Sequence, residues 1–148
     1  MKSLTDTPPL DQAITDKESF NIIVLYDDAP AGKRAHETCN FLRANFANNF
    51  VHYEMWNFGV LRITQVNEQA LQNATEADLV IIAISQEKSF EPYIREWFNQ
   101  WVEAKSPEKK GALIAICPSH SNTPKSYLTY LQEIAFRADF QFFTQPNQ

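Results

Sequence analysis

Residues 21–33 read NIIVLYDDAPAGK: an apolar run from Ile22 to Tyr26 that stops at two adjacent carboxylates, Asp27 and Asp28. An apolar run of this length, bounded by turn residues and followed by a helical pattern, is the signature of a central strand covered on both faces of a parallel sheet. In open α/β sheets ligands sit beyond the carboxyl ends of the strands, where strand order reverses. Asp27 and Asp28 are therefore expected to look into such a crevice.

Outward from this stretch, helical and strand patterns alternate. Ala35, Cys39, Leu42 and Phe46 recur at three- and four-residue intervals and predict a helix over 31–46, with Arg34, Glu37 and Arg43 turned largely outward. A second strand is expected over 50–58, nearer an edge because His52, Glu54 and Asn57 interrupt it, and a short helix over 66–73. Residues 78–84, DLVIIAI, are apolar and β-rich and belong beside the first strand. A helix over 91–105 carries Ile94, Trp97, Phe98, Trp101 and Val102 on one face. A buried strand at 111–117, a helix at 126–138 and an edge strand at 140–144 complete the pattern. Right-handed crossovers then give an α/β fold of three layers, a doubly wound five-stranded parallel sheet in the order 2-1-3-4-5.

The chain has 148 residues, enough for one domain over 21–146, preceded by a polar leader, 1–20, that is either disordered or a short helix through Leu10, Ala13 and Ile14. A net charge of −5 with scattered cations argues against nucleic acid or an anionic membrane as partner. No apolar stretch reaches the roughly 18 residues of a membrane span, and Cys39 and Cys117 lie far apart without metal-ligand spacing. A cytoplasmic protein with free thiols is the expectation.

The loop after the first strand does not suit phosphate. Pro30 lacks an amide, two carboxylates repel an anion, and Gly32–Lys33 lacks the leading glycine and the following Ser or Thr of a P-loop. Paired carboxylates can instead hold Mg²⁺, which accepts one or two of them and keeps several waters. The structural alternative is that Asp28 caps the next helix while Asp27 is solvated. No resident cofactor is expected, and any Mg²⁺ at Asp27 and Asp28 is expected to bind weakly.

Three strand ends resemble those of response-regulator receiver domains, and the likeness covers nearly all of 21–146. Asp27–Asp28 stand where receivers carry an acidic pair. DLVIIAI reads like their third strand, with Ala83 in place of the phosphoacceptor aspartate. Cys117 replaces the Thr or Ser ending the fourth strand, and Gln145–Pro146 replaces the Lys-Pro step ending the fifth. The resemblance implies a flavodoxin-like, receiver-like fold and a place in bacterial signal transduction. Ala83 cannot accept a phosphoryl group and Gln145 cannot neutralise one. Receivers also continue into a helix after the fifth strand, which is missing here.

Two further constellations border the crevice. Cys117-Pro118-Ser119-His120 sets a thiol near an imidazole, a nucleophile pattern without a third orienting residue, so a buried structural cysteine is the simpler account. Trp56 and Phe58 stand at the end of the second strand, and Trp97 and Trp101 lie one turn apart on a helix, an arrangement that serves either a core or flavin stacking. The leading expectation is a non-catalytic module acting through a protein partner or a homodimer. The alternative is a flavin- or nucleotide-binding protein or enzyme whose crevice is lined by Asp27, Asp28, Trp56, Ser85, Cys117 and His120. One helix on the face opposite the other three should also leave apolar side chains of 114–117 and 140–143 in need of a cover, either the leader or a second copy of the chain.

Overall fold

The apolar run forms the heart of strand β1 (Ser19–Tyr26), which pairs in parallel with β2 (Phe50–Asn57) on one side and β3 (Leu79–Ala83) on the other. The computed structural model describes residues 19–45, 50–85, 89–117 and 126–146. The remaining strands are β4 (Ala112–Cys117) and β5 (Gln141–Pro146), and the five form one parallel sheet in the order β2-β1-β3-β4-β5. The helices are α1 (Ala29–Asn45), α2 (Thr64–Thr75), α3 (Pro92–Ala104) and α4 (Ser126–Ala138), with a 3-10 turn, Phe58–Arg62, after β2. β5 is the last element among the described residues, and none of the described helices is long and apolar enough to cross a membrane.

Strand alternation divides the core in two. Ile23, Leu25, Val80, Ile82, Leu113 and Ala115 face α2, α3 and α4. Phe20, Ile22, Val24, Leu79, Ile81, Ile114 and Ile116 face the other way, toward Ala31, Ala35, Cys39 and Leu42 of α1. In this strand order, β1 to β2 crosses on one face and the later connections on the other, so the strand ends part between β1 and β3.

The helix boundaries follow local chemistry. Asp28 Oδ1 accepts the Ala31 amide at 3.1 Å and caps α1, and Pro30 sits in the first turn, where its missing N–H is not needed. Gly32 has a packing role: a Cβ there would stand 3.0 Å from the Tyr26 ring. Pro92 opens α3. At the end of α4, Asp139 takes φ 62° and the Phe140 amide reaches back to Ala135 O at 2.8 Å, a left-handed cap closing the helix.

Two expectations are revised. The first strand begins at Ser19, two residues inside the stretch assigned to the leader; the rest of the leader lies outside the described residues. Ile114 and Ile116 are buried and Phe143 is half-buried, in one cluster with α1, and the leader expected to cover them lies outside the described residues. The Gln145 amide of β5 donates to Thr38 Oγ1 of α1 at 3.1 Å, so this 17-residue helix meets the end of β5 across β3 and β4. The others of that set, Ala115, Cys117, Phe140 and the half-buried Phe142, belong to the opposite face, in the three-helix core.

At the amino ends of the strands, Asp78 is 4% exposed and serves as a tie. Its carboxylate accepts the Asn21 amide at 2.9 Å and Lys109 Nζ at 2.7 Å. Gly111 passes so close that a Cβ would lie 2.3 Å from Asp78 O.

Candidate functional site

The carboxyl ends of β1 and β3 are joined by one residue. The Ser85 amide is shared between both carboxylate oxygens of Asp27, at 3.2 Å each, and its hydroxyl donates to Asp28 Oδ1 at 2.7 Å. The ladder continues into this junction, with the Asp27 amide donating to Ala83 O at 3.2 Å. Arg34 of α1 is half-buried, not turned outward as its helical position predicted, and its Nη2 donates to Ile84 O at 2.9 Å. The long side chain folds back over the strand ends because the first turns of α1 start there.

The two carboxyls are driven apart. Burial pushes the Asp27 carboxyl up, partly offset by the Ser85 amide, and the neighbouring Asp28 charge raises it further. Partial burial also pushes Asp28 up, but the Ser85 hydroxyl, the Ala31 amide, Asp27 and Arg34 together hold it below the ordinary carboxylate value. As pH falls, Asp27 takes a proton before Asp28 does.

The expected crevice residues divide. Asp27, Asp28 and Ser85 come together. Trp56 is half-buried and packs with Cys117 into the three-helix core rather than presenting a stacking surface. Trp97 and Trp101 are fully buried, and Trp101 Nε1 donates to Ala74 O at 2.9 Å. His120 lies outside the described residues. Ala83 is fully buried with its side chain in the α1-facing core, and Gln145 turns to Thr38 instead of the acidic pair. Among the described residues, no three or more His, Cys, Asp or Glu side chains gather as a metal ion would need.

Residues that sequence reasoning missed complete the site. A cleft of about 220 Å³ opens beside Asp27 and Ile84, between the 3-10 turn and the start of α3. Asn57 shapes its rim: Oδ1 accepts the Gly59 amide at 2.7 Å, and Nδ2 donates to Asp27 O at 3.4 Å. Arg62 pairs with Glu91 at 3.2 Å and lies over the Tyr93 ring at 4.6 Å. The turn was legible in the Asn-Phe-Gly step. The Arg62–Glu91 pair spans 29 residues and carries no local signal.

No protein-family model matches the chain, and no curated protein matches it in sequence. Among solved structures it is similar to the flavodoxin of Streptococcus pneumoniae TIGR4, a structure described as that of a drug target. The TM-score is 0.58 at 7% sequence identity, over 86% of this chain and 84% of the flavodoxin. At that identity the likeness is one of fold, and the fold is flavodoxin-like.

Proposed function

We propose that the chain is a receiver-like module that does not accept phosphate and works through contact with a protein partner. The observation supporting this reading is the Ser85 junction. Where receivers bring an aspartate and a cation toward the acidic pair, this chain brings a serine amide and hydroxyl to both carboxylates. The Ser85 amide and hydroxyl take up carboxylate lone pairs that a directly coordinated metal ion would need. Mg²⁺ at Asp27 and Asp28 would have to displace Ser85 and find its other ligands among waters and backbone carbonyls. Ala83 offers no nucleophile, and an aspartate there would start from a fully buried position.

Incubation with acetyl phosphate and Mg²⁺ tests this. The intact mass should stay unchanged, and an acyl-phosphate adduct would overturn the reading.

The likeness to a flavodoxin supports a second reading, a flavin or nucleotide at the strand ends. It requires phosphate beside Asp27, Asp28 and Pro30, where charge and a missing amide oppose it. Flavin absorbance retained through purification, or stabilisation by FMN in a thermal-shift assay, would favour it over the first.

A further inference from the structure

We propose that the cleft beside Asp27 is a binding site for a small primary ammonium compound with an apolar body. This goes beyond a module that acts by protein contact, and it stands whether or not phosphotransfer is absent. Three observations carry it.

The first is place and size. The cleft lies at the ends of β1 and β3, where the strand order reverses, and measures about 220 Å³. That is below the roughly 300 Å³ at which pockets for drug-sized ligands begin, so its occupant is small.

The second is the wall. Ile84, Phe90 and Ile94 are buried, and Phe58 meets Phe90 edge to face with ring centroids 5.7 Å apart. These four side chains form a hydrocarbon wall that suits an aliphatic or aromatic body.

The third is charge. Among the described residues, three charged side chains line the cleft: Asp27, Arg62 and Glu91. Arg62 and Glu91 pair at 3.2 Å, and the guanidinium face is occupied by Tyr93, so these two cancel. What remains is the Asp27 carboxylate, which holds the Ser85 amide, while the charge of Asp28 beside it is offset by Arg34. An anion would meet net negative charge, and a neutral molecule would leave Asp27 without a counterion. An ammonium group supplies one, with three donors for the Asp27 oxygens and the rim carbonyl dipoles. The ammonium then sits against the strand ends and the apolar body against Phe58 and Phe90.

The test is titration of the isotope-labelled full chain with 2-phenylethylamine at neutral pH, followed by amide NMR. The isosteric 2-phenylethanol and the anion 3-phenylpropanoate serve as comparisons. The amine should give saturable shifts at Phe58, Gly59, Ile84 and Phe90, with the alcohol at least tenfold weaker and the carboxylate silent. Asp27→Asn should weaken amine binding at least tenfold with its spectrum still dispersed, whereas Arg62→Gln, which removes a cation, should bind at least as tightly as wild type. If Asp27→Asn fails to fold, the comparison of amine with alcohol on the wild-type chain decides. Absence of saturable shifts, equal binding of the alcohol or the carboxylate, or shifts that avoid the cleft would overturn the proposal.

Discussion

The Ser85 hydroxyl donates a 2.7 Å hydrogen bond to Asp28 Oδ1 across 57 residues of chain, tying the end of β3 to the cap of α1. The same oxygen accepts the Ala31 amide, so one carboxylate closes both a tertiary contact and a helix terminus.

Ser85→Ala removes the hydroxyl and leaves the backbone amide on Asp27. The expected loss in urea unfolding is about 1 kcal/mol, the usual worth of one hydrogen bond at a half-exposed site. The Asp28 carboxyl should also titrate closer to its ordinary value in the variant, read by side-chain NMR. An unchanged Asp28 titration would mean that the hydroxyl does not hold that carboxylate in solution.

The acidic pair gives opposite pH signatures. Asp27, pushed up by burial, favours its protonated form in the fold, so its contribution is full below the ordinary carboxylate range and is lost as pH rises through its native value. Asp28, held down, contributes above that range, and its contribution is lost as pH falls through its native value. Asp27→Asn should therefore stabilise the fold at neutral pH, by up to about 1 kcal/mol, with the gain fading in acid. Asp28→Asn keeps the acceptor oxygen but loses the charge, so it should destabilise at neutral pH by about 0.5–1 kcal/mol, converging on wild type in acid. Denaturation midpoints across pH check both signs, and a stabilising Asp28→Asn would contradict the capping role.

Gly111→Ala should cost about 2–4 kcal/mol in chemical denaturation, because its Cβ would meet the Asp78 carbonyl at 2.3 Å and neither backbone can move without opening the strand ends. Gly59→Ala, where the nearest atom is the Asn57 side-chain oxygen at 3.0 Å, should cost much less. Similar losses for the two would show that the Asp78 end of the sheet is not tightly packed.

Ala83→Asp restores the residue type of a phosphoacceptor but not its setting. The side chain points into the α1-facing core, where an unpaired carboxyl should cost at least about 3 kcal/mol. Acetyl phosphate should leave the variant's mass unchanged. A stable variant that acquires a phosphoryl group would show that the strand end is more open than this packing allows.

The fold was legible because apolar patterning reports burial directly. Residues 78–84 and 111–117 are apolar on both sides, so both strands could be placed inside the sheet, and the 3.6-residue spacing of Ile94, Trp97, Phe98 and Trp101 located α3. Half of the site was legible for the same reason: an apolar run that stops at Asp27–Asp28 marks a strand end. Ser85 could be placed near the pair from topology, whereas its bonds to both carboxylates needed coordinates. Cys117 is the buried cysteine its setting suggested, whereas Trp56 misled, because a strand end presents one residue to the crevice and the next to the core, and alternation within one residue is finer than a boundary read from sequence. Arg34, Arg62 and Glu91 were not found, since long polar side chains choose partners by tertiary proximity and leave no periodic trace.

The most direct measurement is the Ser85 amide resonance during titration with Mg²⁺ and then beryllofluoride. If Ser85 occupies the acidic pair as described, its amide and those of Asp27 and Asp28 should hold their positions through millimolar Mg²⁺, and beryllofluoride should add nothing. Saturable displacement of the Ser85 amide by Mg²⁺, followed by a second shift with beryllofluoride, would contradict the account and return the chain to the phosphate-responsive class.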